Sequence, residues 1–248
     1  MEYLAEFVGT AILLLFGNGV VAGLLLRHSK SENSGWIVNC FGWGLGVMTA
    51  AYMVGRISGA QLNPALTLGL ASIGEFSWSK VPGYIGCQLA GAFVGACIAY
   101  VHYLPHFEHT RDPETKLSVF ATTPAIRNTA TNLASEFIAT FVLVFAIIAI
   151  AATGDSLPGH VALPAYFSTA VSPLVVGLLV VAIGLSLGGP TGYAINPARD
   201  LGPRLAHFVL PIPGKGSSQW HYAWIPIIAP VLGGVAGALV WQALDFPQ

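Results

Sequence analysis

Gly192-Tyr193-Ala194-Ile195-Asn196-Pro197-Ala198-Arg199-Asp200 is the stretch that decides how this sequence is read. An Asn-Pro-Ala triplet is followed at once by an arginine and an aspartate. Ser58-Gly59-Ala60-Gln61-Leu62-Asn63-Pro64-Ala65 echoes it earlier in the chain. Asparagine is a favoured N-cap, because its side-chain oxygen accepts a backbone N–H of the first turn. Proline is favoured at the first helical position, where its missing N–H is not needed. Each triplet, Asn63-Pro64-Ala65 and Asn196-Pro197-Ala198, therefore reads as a helix start. With the amide oxygen engaged in the cap, the NH2 groups of Asn63 and Asn196 are expected to donate outward. A helix start also carries about half a positive charge. Two such starts facing each other offer two donors and a positive field, which suits the oxygen of a neutral solute and repels a cation.

The surroundings of these triplets are apolar. Of 248 residues, 54% are hydrophobic and 8% are charged, with a mean hydropathy of +0.69. Soluble domains run near ~25% charged, so the composition is that of a polytopic membrane protein whose main surroundings are the lipid bilayer. The net charge of −1 gives no reason to expect a nucleic-acid partner. Cys40, Cys87 and Cys97 fall in apolar runs without metal-ligand spacing and read as packing residues. The first apolar run, from near Met1 to Leu26, is too long for a signal-peptide core and reads as a retained span.

In order, the sequence predicts helix 1 over 2–26, helix 2 over 36–55, a non-helical stretch over 56–62 and a short helix over 63–74. Helix 3 follows over 80–104, then a long polar loop over 106–128, helix 4 over 131–153, a loop over 154–167 and helix 5 over 170–187. Residues 188–195 are non-helical, a second short helix covers 196–207, and helix 6 covers 221–244. A span needs about 20 residues, so both short helices are re-entrant. The expected fold is an all-α membrane protein of six transmembrane helices plus two re-entrant half-helices.

The halves repeat. Ala5-Glu6-Phe7-Val8-Gly9-Thr10 matches Ser135-Glu136-Phe137-Ile138-Ala139-Thr140 at an offset of 130, and Asn63 matches Asn196 at an offset of 133. Gly91-Ala92-Phe93-Val94-Gly95 has its counterpart in Gly233-Gly234-Val235-Ala236-Gly237. The chain divides into a first repeat over about 1–104, a linking loop over about 105–130 and a second repeat over about 131–248, all within one channel-like domain. Three spans per half force the halves into opposite orientations, giving an inverted repeat whose interrupted segments mark the binding site. The glycine pairs let helices 3 and 6 approach their neighbours closely. Non-helical backbone at membrane depth is tolerated where it is buried in protein or lines a water-filled cavity. The carbonyls of Gly59, Ala60, Gln61 and Leu62, and of Gly192, Tyr193 and Ala194, are therefore expected to line a pore. Glu6 and Glu136, repeated inside apolar helices, are read as acceptors that brace these loops, with a proton relay as the other reading.

Both Asn-Pro-Ala boxes, the Glu-xxx-Thr starts (Glu6/Thr10 and Glu136/Thr140) and Trp43-Gly44-Leu45-Gly46 resemble the major intrinsic protein family. Asp200 after Arg199, and Pro226-Ile227 in helix 6, resemble its aquaglyceroporin or glycerol-facilitator branch. The resemblance covers almost the whole chain. It implies a passive channel for glycerol, water and similar small neutral solutes, with no catalytic residues, no cofactor and no metal. It further implies a homotetramer, placed as a multi-pass protein in the cell membrane with cytoplasmic termini. Other small neutral solutes (dihydroxyacetone, urea, protonated lactic acid) and a strict water channel are the alternatives. Exclusion of cations by half-helix dipoles is an established property of aquaporin-type pores.

By the same resemblance, the narrowest ring is Trp43, Gly184, Tyr193 and Arg199. Trp43 and Tyr193 would wall the carbon chain of a polyol, and Arg199 would donate to its hydroxyls. Gly184 stands where water-selective relatives carry a histidine, and its small size leaves room for a three-carbon alcohol. Gln61 and Tyr193 depart from the histidine and phenylalanine of many glycerol facilitators. Asp200 is read as a brace rather than a partner of Arg199, since adjacent helical residues point apart. His102, His106, His109, His160, His207 and His221 read as solvated or interfacial, with a pH gate as the alternative. With cytoplasmic termini, Arg27, Lys30, Arg111, Lys116, Arg127, Arg204 and Lys215 lie outside and only Arg56 and Lys80 inside. The positive-inside rule prefers the reverse.

Overall fold

Helix starts and stops in the computed structural model, which describes residues 1–156 and 162–244, follow the local chemistry closely. The helices are α1 (Glu2–Leu25), α2 (Trp36–Ser58), α3 (Pro64–Ser72), α4 (Val81–His102), α5 (Leu104–His109) and α6 (Pro113–Phe120). They continue with α7 (Thr129–Asp155), α8 (Ala162–Tyr166), α9 (Ser172–Leu187), α10 (Pro197–Val209) and α11 (Ile225–Leu244). A π turn over Phe167–Val171 joins α8 to α9, so Leu163–Leu187 runs as one rod. Pro173, in the first turn of α9, has no N–H to return to the carbonyl one turn back, and the widened turn sits there. Among the described residues, six helical stretches are long and apolar enough to cross a membrane: 2–25, 36–58, 81–102, 129–154, 163–187 and 225–244. α3 has 9 residues and α10 has 13. At about 1.5 Å per residue neither can cross a hydrocarbon layer of about 30 Å. The fold is therefore six spans and two re-entrant half-helices arranged as an inverted repeat.

Close backbone approach holds each half together. A Cβ on Gly91 would lie 2.2 Å from the Phe7 carbonyl oxygen, and one on Gly95 2.3 Å from that of Ala11. The second half repeats the contact: Gly233 would meet the Phe137 carbonyl at 2.4 Å and Gly237 that of Phe141 at 2.7 Å. Phe7 and Phe137, like Ala11 and Phe141, are 130 residues apart, so α1 against α4 and α7 against α11 are one interface made twice. The half-helices cross over. A Cβ on Gly69 of α3 would lie 3.0 Å from the Gly234 carbonyl oxygen of α11, and one on Gly202 of α10 would lie 2.6 Å from the Ala92 Cβ of α4. Each half-helix thus lies against a span of the other repeat.

The long polar loop expected over 106–128 is more ordered than its composition suggests. It holds α5 and α6. Asp112 caps α6, accepting from the Thr115 N–H at 2.9 Å and the Glu114 N–H at 3.4 Å, with Pro113 in the first turn. The Thr115 hydroxyl, and then its N–H, hold the Asp112 carboxyl below the ordinary aspartate range. Lys116, Leu117, Val119 and Phe120 are buried. Burial pushes the Lys116 and Lys215 ammonium groups down. Lys116 donates to the Pro213 carbonyl, and Lys215 donates to the carbonyls of His207 and Phe208 at 2.9 and 2.7 Å, closing the end of α10. His207 is fully buried, with Nδ1 2.8 Å from the Ser218 hydroxyl, and is not the solvated residue its place near a helix end suggests. His160 lies outside the described residues.

Replacing Gly91 or Gly233 by valine forces a branched side chain into a facing carbonyl. Overpacking of this kind costs about 1–3 kcal/mol or more. Both variants should melt earlier in detergent, whereas Gly19→Val, where a Cβ meets nothing within 4 Å, should melt like the parent chain.

Candidate functional site

Two loops meet at the centre, and both hold backbone that L-residues avoid. In the first, Gly59, Ala60 and Leu62 have φ of 82°, 48° and 52°; in the second, Gly192, Tyr193 and Ile195 have 82°, 38° and 45°. The three pairs are each 133 residues apart. Left-handed non-glycine residues cost of order ~1–3 kcal/mol each and persist only where the surroundings fix them. Two buried carboxylates do the fixing. Glu6 accepts from the Gln61 N–H at 3.0 Å and the Leu62 N–H at 2.7 Å, and also from the Ser58 hydroxyl at 2.6 Å and the Gln88 amide at 2.8 Å. Glu136 accepts from the Ala194 and Ile195 N–H groups, both at 2.9 Å. Thr10 and Thr140 each donate to the carbonyl of the glutamate one turn back, at 2.7 Å.

The helix starts behave as caps and also as clasps. Asn63 Oδ1 accepts from the Ala65 N–H at 2.9 Å; Asn196 Oδ1 accepts from the Ala198 N–H at 2.9 Å and the Arg199 N–H at 3.3 Å. The NH2 groups do not both point freely outward, as the sequence reading expected. Asn63 Nδ2 donates to the Ile195 carbonyl and Asn196 Nδ2 to the Leu62 carbonyl, each at 2.8 Å. One N–H of each amide ties the two loops together. An amide NH2 has two donors, so one remains on each asparagine.

Arg199 and Asp200 part company at once. The Arg199 guanidinium stacks over Trp43, 4.0 Å from the ring centroid, and donates to the Phe120 carbonyl at 3.3 Å. Asp200 faces the other way. It accepts from the Thr122 N–H at 2.8 Å and the Thr122 hydroxyl at 2.7 Å, and pairs with Arg204 at 2.7 and 2.9 Å. Asp200 and Arg204 are both fully buried. The remaining Arg204 donors reach the carbonyls of Thr122 at 2.9 Å, Ser218 at 2.7 Å and Gln219 at 3.3 Å. Arg204 is saturated, whereas Arg199 keeps most of its five N–H donors.

A cavity of about 690 Å³ runs past these groups. Trp43, Tyr193 and Arg199 border it. So do Gly59, Ala60, Gln61, Leu62 and Asn63 from the first loop and Ala194 and Asn196 from the second. Tyr52, Arg56, Glu75 and Thr169 also border it. Pro64, Ala65, Pro197 and Ala198 are buried behind it, and Gly184 and Gly192 do not border it. A Cβ on Gly184 would lie 2.8 Å from Tyr193 Cζ and 2.9 Å from both Tyr193 Oη and Cys40 Sγ. The space a side chain would take at Gly184 is filled first by the tyrosine. Ile195 borders the cavity, its carbonyl clasps Asn63, and its position mirrors Leu62, a signal available from the repeat. From the sequence Arg204 counts only among the charges outside the membrane; its spacing of four from Asp200 within the same short helix is the signal for the pair. No group of three or more His, Cys, Asp or Glu among the described residues is placed to hold a metal.

Comparison with known proteins supports the same picture. Residues 1–241 match the family model described as major intrinsic protein. A probable glycerol uptake facilitator protein of Thermotoga maritima is 55% identical over 242 residues, 98% of each chain. The glycerol uptake facilitator protein of Bacillus subtilis is 57% identical over 238 residues, 96% of this chain and 82% of that one. Among solved structures, the aquaglyceroporin from Plasmodium falciparum superposes with a TM-score of 0.84 at 30% identity, covering 99% of this chain and 96% of its own.

The saturated pair makes a sharp expectation. Arg204→Met strands Asp200, and breaking a buried pair this way costs about 3–5 kcal/mol. The variant should melt well below the parent in detergent, and Asp200→Leu combined with Arg204→Met should recover much of the loss.

Proposed function

This chain belongs to the major intrinsic protein family, and we propose that it is a passive channel through which glycerol and water move down their gradients. The observation that carries this reading is a pairing of donors and apolar rings on the cavity wall. Arg199 offers guanidinium donors that no group among the described residues uses, and the rings of Trp43 and Tyr193 offer apolar faces beside it. A polyol has hydroxyls along one side and carbon along the other, and it exchanges its hydration for matched groups on both. Farther along, the spare N–H donors of Asn63 and Asn196 and the carbonyls of 59–62 and 193–194 continue the hydrogen-bonding path. Glu6 and Glu136 serve as braces, and Asp200 braces the segment leading into α7. The positive ends of two opposed half-helices and the Arg199 charge keep protons and cations out. Passage along this path is passive, in keeping with a family of channels rather than enzymes.

Other small neutral solutes, such as dihydroxyacetone, urea or protonated lactic acid, fit the same chemistry and are the second reading. A strict water channel is disfavoured by the apolar rings of Trp43 and Tyr193 on the cavity wall. In this reading the protein is a homotetramer with one pore per subunit, sitting in the cell membrane with both termini in the cytoplasm.

Proteoliposomes test the channel. After a glycerol step, vesicles carrying the protein should shrink and then re-swell faster than empty ones; re-swelling at the empty-vesicle rate would sink the reading. In the same assay Arg199→Val should loosen selectivity toward cations or urea relative to the parent. For orientation, protease added to intact spheroplasts should cut near Arg111; protection there would place the termini outside.

A further inference from the structure

We propose that Trp36 is a positioning residue for the narrow ring, holding Tyr193 against the lumen and so setting the largest solute that passes. This inference rests on the channel reading above. Trp36 is the first residue of α2 and lies two turns before Trp43. A spacing of seven residues returns nearly to the same helix face, so α2 presents Trp36, Cys40 and Trp43 as a stripe. The stripe faces α9 and the loop that follows it. Trp36 Nε1 donates to the Gly184 carbonyl at 2.9 Å, joining residues 148 positions apart. Its ring meets Tyr193 edge-on, with centroids 5.8 Å apart and planes at 78°. A Cβ on Gly188 would lie 2.5 Å from Tyr193 Cδ1 and 3.0 Å from Trp36 Cζ2, so both rings crowd the same bare backbone.

These contacts enclose Tyr193 on the side away from the cavity. Gly184 and Gly188 lie under its ring, Cys40 lies beside its hydroxyl and Trp36 stands at its edge. The backbone of Tyr193 is left-handed, with φ of 38°, a conformation that persists only where the surroundings hold it. Its place is set by what surrounds it. Tryptophan at a helix end is common as an interfacial anchor, with the indole N–H turned to the headgroups. Trp36 is 42% exposed, yet its N–H is engaged on Gly184. A role confined to anchoring does not account for that bond or for the edge contact with a ring of the narrow site.

The test separates positioning from anchoring. Trp36→Phe keeps a ring beside Tyr193 and loses the bond to Gly184; Trp36→Ala loses both. Trp224, 44% exposed, serves as the anchor control through Trp224→Ala. Proteoliposomes are given glycerol, a four-carbon polyol and water. One extra carbon is discriminated by about tenfold or more in a well-fitted pocket, so Trp36→Ala should raise four-carbon relative to glycerol permeability by on the order of tenfold, with Trp36→Phe between it and the parent. The Trp224→Ala ratio should equal the parent's. An unchanged ratio in both Trp36 variants, with glycerol flux intact, overturns the inference and leaves the channel reading standing. Should Trp36→Ala fail to assemble, the Trp36→Phe ratio decides alone. Absence of glycerol flux in the parent chain overturns the channel reading itself.

Discussion

Backbone polar groups cannot be left bare in hydrocarbon, and the structure turns on how two buried carboxylates meet that constraint. Glu6 and Glu136 take the N–H groups of Gln61, Leu62, Ala194 and Ile195. Without those acceptors, the loops would expose unpaired donors at membrane depth, each a loss of several kcal/mol by order of magnitude, ~2–7. With them, the chain can break its helices in mid-bilayer and hold left-handed residues there. The asparagine clasps then join two loops that are each already fixed. The order of dependence runs from carboxylate to loop, from loop to half-helix start, and from the paired starts to the cavity beside them.

Much of this was legible because the governing signals are local. Asn-Pro at 63–64 and 196–197 specifies a cap and a first turn, and both form as capping chemistry requires. The repeat of Glu6 at Glu136 marked the braces, and the glycines at 91, 95, 233 and 237 marked the tight interfaces. What the sequence concealed depends on the meeting of distant segments. Nothing near Asn63 says that its amide will reach the Ile195 carbonyl, 132 residues away. The α5–α6 segment looked like a solvated loop because its charges dominate its composition, while its order comes from a single Asp-Pro start and from Leu117 and Phe120 packing underneath. At Gly184 the missing side chain was read as room for a solute, yet the nearest claimant is Tyr193, whose rotamer no local pattern discloses.

The charge distribution illustrates the same limit. Counted along the sequence, the basic residues outside the spans argue against cytoplasmic termini. In the folded chain many of them are committed: Arg204 is sealed with Asp200, Lys116 and Lys215 satisfy carbonyls, Arg27 pairs with Glu32 at 2.9 Å and Arg127 donates to Gln219 at 2.6 Å. A rule that treats lysine and arginine as free topogenic charges weighs them before those partners exist. In the finished molecule Lys116, Arg127, Arg204 and Lys215 tie together the segments around α6, α10 and the approach to α11.

The crossover of the half-helices sets a schedule for synthesis. α3 is translated early, yet the surface it rests on belongs to α11, the last span to be made. Until that span emerges, Gly69 has no carbonyl to nestle against, and α3 is held from within its own half, by Gln88 of α4 on Thr67 and by Glu6 on the loop before it. α10, by contrast, finds α4 already waiting. Maturation of this chain is therefore lopsided in time although its finished form is nearly symmetric, and a ribosome stalled anywhere before residue 225 leaves the earlier half unfinished.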